Sequence, residues 1–344
     1  MKEILLSNPY DFKFQQSFVP EIEASEALVK VAFCAICATD IRVLEGNKKK
    51  NISYPCVIGH EISGTIWKTG DAVDAYRVGD RVAVSPIIPC GRCRNCLAGK
   101  ENLCLDRLAI GYQFPGGFAE YLRIPEAAIK GGSLVKISDR LSLEEAALIE
   151  PVACCINGIK KADIEINDNV LIVGAGAIGQ MHLQLCRLYG ANFVAVSDPI
   201  EARREKARGF GASVAIDPSS ESVAEAASRR GIDGFDKIIF ACPATSAVND
   251  ILGLCAKGGT VLLFSGFSGT GLCNLQLNTI HYNELAVIGS TGYRRQDYLA
   301  ALSLLENGKI DVKSLISDVF PIEEFDAAYA RHKSGQGFKV LIKP

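Results

Sequence analysis

Val170-Leu171-Ile172-Val173-Gly174-Ala175-Gly176-Ala177-Ile178-Gly179 gives the clearest reading of how the chain folds. Four apolar, mostly β-branched residues bounded by glycine read as a buried strand. The strand runs directly into Gly-x-Gly-x-x-Gly, and the residues beyond predict a helix from about Ile178 to Tyr189. Between a strand and a helix, each glycine has its own task. Gly174 permits the tight turn, Gly176 lets the backbone approach a pyrophosphate, and Gly179 lets the helix pack closely on the strand. The amino end of the helix, at Ala177 and Ile178, offers amide donors and a favourable dipole to the same anion.

The next apolar run, Phe193-Val194-Ala195-Val196, leads to Asp198, 19 positions beyond Gly179. A carboxylate there accepts hydrogen bonds from the adenosine ribose and repels a 2′-phosphate, which favours NAD over NADP. Arg203 and Arg204 follow closely, and an arginine in this neighbourhood can instead serve a 2′-phosphate.

Reading outward, helices and apolar strands continue to alternate. A helix over Ile200 to Arg208 is followed by strands at Ser213–Ile216, Lys237–Phe240 and Thr260–Phe264. Continuous apolar strands separated by helices predict a doubly wound parallel sheet over residues 151–289. The pattern changes near Glu150-Pro151. Upstream, over residues 1–150, short strands such as Ala27–Phe33 and Arg81–Val84 lie between turn formers, which suits an irregular β-barrel. Downstream of about residue 290, a helix over Asp297–Glu306 precedes a strand-like Phe338–Ile342. At 344 residues the chain exceeds what one core usually serves, so an α/β protein of two domains is expected.

Composition narrows the function. The formal net charge is −2, which gives no basic surface for a phosphate backbone and argues against nucleic acid. Charges, Gly or Pro interrupt every apolar run before it could span a bilayer, and the start, Met1-Lys2-Glu3-Ile4-Leu5-Leu6-Ser7-Asn8-Pro9, turns polar too soon for a signal peptide. A cytoplasmic location is the expectation. Thirteen cysteines are then too many and too clustered to read as a disulfide framework. Cys90, Cys93, Cys96 and Cys104 are spaced C-x2-C-x2-C-x7-C. Four thiolates in so short a loop can close a tetrahedral shell around a structural zinc and order a lobe too small for its own core. An iron–sulfur cluster uses similar ligands, and spacing does not separate the two.

Cys37, in Cys37-Ala38-Thr39-Asp40, and His60-Glu61, in Gly59-His60-Glu61-Ile62-Ser63-Gly64, are further candidate metal ligands. Taken with the four-cysteine lobe, Gly116-Gly117-Phe118-Ala119-Glu120-Tyr121, Glu150-Pro151 and the nucleotide fingerprint, they occur in one order along the chain. In that order the chain resembles the zinc-containing medium-chain dehydrogenase/reductase (alcohol dehydrogenase) superfamily over essentially its full length. His60-Glu61 with Glu150-Pro151 is most similar to the sorbitol and polyol-phosphate dehydrogenase branch.

The resemblance implies a GroES-like catalytic domain, completed by about residues 290–344, with a Rossmann domain between. It implies that Cys37, His60 and Glu61 ligate a catalytic zinc, that Glu150 lies beside the open position or joins the ligands, and that Thr39 contacts the substrate oxygen. The expected reaction is transfer of hydride from a secondary hydroxyl of a polyol, sugar or cyclitol-like substrate to NAD, with two zinc ions per chain in a homodimer or homotetramer. Two departures from the family pattern stand out. Ala38 replaces a common glycine, and Arg42 replaces a histidine that passes the proton to solvent in many members. Arg42 stays protonated, so the proton is expected to leave through water.

Lys48-Lys49-Lys50, between the two zinc-site segments, reads as a solvated loop or as a contact for a substrate phosphate. Arg294 and Arg295 fall where related polyol enzymes approach the substrate. His182, His281 and His332 have no companion ligands in sequence and read as structural. Two other functions use some of the same features: an NADP-dependent carbonyl reductase, and a zinc-stabilised nucleotide-binding protein without catalysis.

Overall fold

The computed structural model describes residues 1–48, 51–267 and 271–344. Lys49 and Lys50 of the lysine run lie outside the described residues. The chain forms two compact units, Met1–Pro151 with Arg294–Pro344, and Val152–Tyr293.

In the second unit six strands form one parallel sheet. Numbered along the chain they are Asn169–Val173, Phe193–Ser197, Val214–Ile216, Phe235–Phe240, Cys255–Leu263 and Ala286–Gly289, and they lie in the order 3-2-1-4-5-6. That is the strand order of a doubly wound nucleotide-binding sheet, with its reversal beside the strand that carries the fingerprint. Leu171, Ala195, Ile238, Phe240 and Val261 from the central strands pack into one core. Val170, Ile172, Val196 and Leu262, on the other face, are also buried, and burial on both faces is why the strands read as apolar runs. The fifth strand begins at Cys255, five residues before the expected Thr260, and passes through Gly258-Gly259. Glycine weakens strand patterns. Here the register against the fourth strand shifts between Phe235 and Lys237, where the extra residues are taken up.

The first unit is built on a seven-stranded sheet. Its strand Ala27–Ala35 pairs antiparallel with Glu61–Thr69, with Tyr121–Ile124 and with the final strand, Lys339–Lys343. The last of these pairs parallel with Ile316–Pro321. Val340 and Ile342 share a core with Ile4, Val29, Ile62 and Val84, so both ends of the chain close over the same interior. Ala35 lies opposite Glu61 on one side and Leu341 on the other. Strand side chains alternate faces, so Lys339, two residues from Leu341, emerges on its face.

Among the described residues, no helix is long and apolar enough to cross a membrane.

Candidate catalytic, zinc and nucleotide sites

Cys37 ends the approach to a short helix, Ala38–Leu44, and caps it. Its Sγ accepts from the Thr39 N–H at 3.5 Å. Asp40, buried, returns the cap: its Oδ2 accepts from the Cys37 N–H at 2.9 Å. The other oxygen, Oδ1, lies 3.1 Å from His60 Nδ1. A carboxylate on Nδ1 fixes the ring and leaves Nε2 as the atom to bind a metal, an arrangement common behind metal-binding histidines. One donor atom from each of Cys37, His60 and Glu61 falls within 4.8 Å of the others. A soft thiolate, an imidazole and a carboxylate at such spacing suit a three-ligand zinc site with one position left over.

Glu61 is fully buried, and both its oxygens accept from Lys339 Nζ, at 2.6 and 2.5 Å. Burial pushes the Glu61 carboxyl up to about 7, while Lys339 pulls it down and Glu150 adds to the rise. The short contacts are those of an ionised pair. Each carboxylate oxygen has a second lone pair, so the bond to Lys339 leaves Glu61 able to act as a donor elsewhere. Glu150, half-buried in the first turn of helix Ile149–Ala162, is not among the mutually close donors, although its charge reaches Glu61, Lys339 and Tyr112. Thr39 is half-buried beside Cys37. Arg294 caps helix Arg295–Glu306, and its Nε lies 3.2 Å from buried Asp297. Arg295 Nη1 donates to the Gly131 carbonyl at 3.1 Å.

The motif reading assigned no role to Asp40 or Tyr112, and Lys339 drew no notice. Asp40 stands in the quoted motif three positions after Cys37, where its capping role was readable. Tyr112 packs on the His60 ring at 5.5 Å between centroids, and Lys339 lies 278 residues from Glu61. Neither contact has a local signal.

In the cysteine lobe, Cys93 Sγ lies 3.5 Å from Cys96 Sγ and 3.9 Å from Cys104 Sγ, and Cys90 Sγ lies 4.0 Å from Cys96 Sγ. Zinc–sulfur bonds of about 2.3 Å in a tetrahedron place sulfurs roughly 3.8 Å apart, and a disulfide needs about 2.05 Å. The four sulfurs therefore fit a closed metal shell. Backbone amides of Leu105 and Cys96 hold the Cys93 thiol down at about 6, favouring the thiolate that a metal requires.

In the second unit Gly174 takes a positive φ of 98° where the first strand ends. A Cβ on Gly179 would sit 1.9 Å from the Gly174 carbonyl oxygen, so only glycine lets this helix lie against this turn. A Cβ on Gly176 would meet nothing nearer than Arg203 Nη1 at 3.9 Å. The space beside Gly176 is thus open, and no side chain caps the helix that begins at Ala177 and Ile178. Uncapped amides facing open space fit a pyrophosphate. Asp198, buried, accepts from the Ala175 N–H at 2.7 Å and the Ile200 N–H at 2.9 Å, and Arg203 Nη1 stands 3.5 Å from it. Arg204 is turned elsewhere, donating to the Asp198 carbonyl and facing Glu201 and Asp217.

Comparison with known proteins agrees with this arrangement. Residues 23–137 match the alcohol dehydrogenase GroES-like domain, and residues 177–307 match the zinc-binding dehydrogenase domain. The chain is 32% identical over 348 residues to D-xylulose reductase A of Aspergillus oryzae, covering 98% of this chain and 95% of that protein. Among solved structures, a zinc-binding dehydrogenase from Sinorhizobium meliloti bound to NADP superposes with a TM-score of 0.92 at 32% identity, covering 100% of this chain and 99% of the other. Galactitol-1-phosphate dehydrogenase from Escherichia coli superposes with a TM-score of 0.89 at 27% identity, covering 100% of both. Similar along its whole length to enzymes of one kind, the chain belongs to the zinc-containing medium-chain alcohol dehydrogenase superfamily and is a nicotinamide-dependent oxidoreductase of its polyol-dehydrogenase-like branch.

Proposed function

We propose that the protein oxidises a secondary hydroxyl of a polyol or sugar to the ketone with NAD, using a catalytic zinc at Cys37, His60 and Glu61 and a structural zinc at Cys90, Cys93, Cys96 and Cys104. The observation that carries this reading is the convergence of Cys37, His60 and Glu61 within 4.8 Å, with Asp40 already holding His60 by its Nδ1. A four-cysteine lobe alone would serve a binding protein equally well, whereas a mixed three-donor cluster suits chemistry. The substrate class follows the relatives, a D-xylulose reductase and a galactitol-1-phosphate dehydrogenase.

When bound, zinc acts as a Lewis acid on the substrate hydroxyl and the nicotinamide accepts the hydride. The chain's own residues prepare that step. Asp40 orients His60, and Lys339 neutralises Glu61 so that a buried carboxylate is retained. Thr39, at the start of the helix capped by Cys37, takes and passes the hydroxyl proton. Glu150 acts on the same group of charges and is the candidate fourth donor. In the second unit Gly174, Gly176 and Gly179, with Ala177, Ile178 and Arg203, form the dinucleotide seat. Asp198 is the acceptor for the ribose hydroxyls, and its carboxylate disfavours a 2′-phosphate. Arg203 beside it offsets part of that charge, so the preference for NAD is expected to be clear but finite.

The test is steady-state oxidation of a panel of pentitols, hexitols, inositols and their phosphates with NAD and with NADP. Ketone formation with kcat/KM at least tenfold higher for NAD supports the reading. A strong preference for NADP would overturn the role given to Asp198, and failure of every polyol in zinc-replete protein would overturn the substrate class.

A further inference from the structure

One cavity of about 230 Å³ in the first unit is lined by Lys48, Asn51, Arg107, Ala109, Tyr112 and Gln113. Among the described residues its lining contains two cations, two amides and a phenol, and no carboxylate. Lys48 Nζ sits 4.2 Å from the centre of the Tyr112 ring, and the His60 ring lies 5.5 Å from the same ring between centroids. The cavity therefore begins one aromatic ring away from a candidate zinc ligand, close enough for the Cys37 charge to act on Lys48.

The donors in this lining are poised but uncommitted. Arg107 spends one N–H on the Asn102 carbonyl at 3.2 Å. Gln113 accepts from the Ala109 N–H through Oε1 at 2.9 Å, which leaves its amide NH₂ group for another partner. Among the described residues, neither Lys48 nor Arg107 has an ion-pair partner. Lys48 is half-buried, and burial first, with Arg107 adding to it, draws its pKa down. Two cations facing one recess without a counterion repel each other and bear a desolvation cost. The face of Tyr112 offsets a part of it. An anion offsets the rest, and both guanidinium and ammonium groups bind phosphate or carboxylate oxygens through charge-assisted hydrogen bonds.

We propose that this cavity seats an anionic group, phosphate or carboxylate, carried by the polyol substrate, and that Lys48 and Arg107 set the preference for charged over neutral polyols. The inference rests on the reading of Cys37, His60 and Glu61 as the site of polyol oxidation. It makes the recess the specificity pocket of that site, holding the far end of the carbon chain while the reacting hydroxyl faces the zinc ligands.

The experiment compares a free hexitol, its 1-phosphate and its aldonate as substrates of the zinc-loaded enzyme at saturating NAD. A separate calorimetric titration uses inorganic phosphate with no substrate present. The wild-type enzyme is expected to favour one charged form over the free hexitol at least tenfold in kcat/KM, chiefly through KM, and the favoured form names the anion. Lys48→Met and Arg107→Gln should each cut that ratio at least fivefold, Lys48→Arg should restore it, and phosphate binding should weaken at least tenfold in both charge-removing variants. A ratio at or below one in the wild type, or a ratio and phosphate affinity indifferent to both substitutions, overturns the proposal while polyol oxidation stands. If no polyol form is oxidised but phosphate binds and both variants lose it, polyol oxidation fails and the anion seat is upheld.

Discussion

Asp40 divides one carboxylate between two tasks. Oδ2 holds the Cys37 backbone in its cap, and Oδ1 holds the His60 ring. Asparagine fills the same space but carries no charge, and one of its two positions is a donor. Asp40→Asn should lower zinc affinity and kcat/KM together by about 10- to 100-fold, read by competition with a chromogenic chelator alongside steady-state rates. His182 presents the opposite case. It is fully buried, packs edge-on against Phe264 at 4.5 Å, and neither ring nitrogen has a hydrogen-bond partner among the described residues. Burial pushes its pKa down to about 3. Below about pH 6.5 the unfolded chain takes up a proton that the folded chain refuses. The contribution of neutral His182 is therefore complete above that pH and declines as the pH falls toward 3, by up to about 1.4 kcal/mol per unit. His182→Leu removes both unpaired nitrogens, so its melting temperature should match or exceed the wild type at pH 7.5 and fall less between pH 7.5 and 5. An equal fall in both proteins would assign the acid sensitivity elsewhere. At this scale the candidate ligands were legible because their residue types are chemically selective. Their supports were not, because an aspartate or a lysine declares nothing about its partner until the fold supplies one.

Elements were legible where burial is uniform. The strands at Asn169 and Phe193 left nearly continuous apolar runs, while the fifth strand was read five residues short because Gly258-Gly259 breaks that pattern. In the first unit several strands are only two to four residues long, and strand pairing has no local marker. The turn from Val173 into helix Ala177–Leu188 allows the two kinds of glycine to be separated by experiment. Gly179→Ala drives a methyl into the Gly174 carbonyl oxygen at 1.9 Å, so the helix must move off the strand. It should lower the melting temperature and weaken NAD binding together. Gly176→Ala meets no protein atom within 3.9 Å and sits at an ordinary φ of −64°. Its melting temperature should stay close to wild type while the Kd for NADH rises at least tenfold, as followed by cofactor fluorescence. Cofactor affinity unchanged in Gly176→Ala would mean that the pyrophosphate does not lie over this glycine.

At the scale of the whole molecule, the first unit draws on both ends of the chain. Strand Lys339–Lys343 pairs with Ala27–Ala35, and this is what carries Lys339 to Glu61. The order of motifs made the superfamily legible, and with it the fold class. The ion pair was not legible, since it depends on register between strands some 300 residues apart. Two groups of side chains in different parts of the first unit are each close enough to hold a metal ion, a four-sulfur lobe and a mixed cluster of Cys37, His60 and Glu61. We propose that the mixed cluster is the catalytic one. The direct measurement is the zinc content of wild-type and Cys37→Ser protein, with NAD-linked polyol oxidation recorded on the same preparations. Two zinc equivalents falling to one in Cys37→Ser, with turnover down on the order of a thousandfold, is the expected result. One zinc equivalent in both proteins, or undiminished turnover after the loss of one, would contradict it.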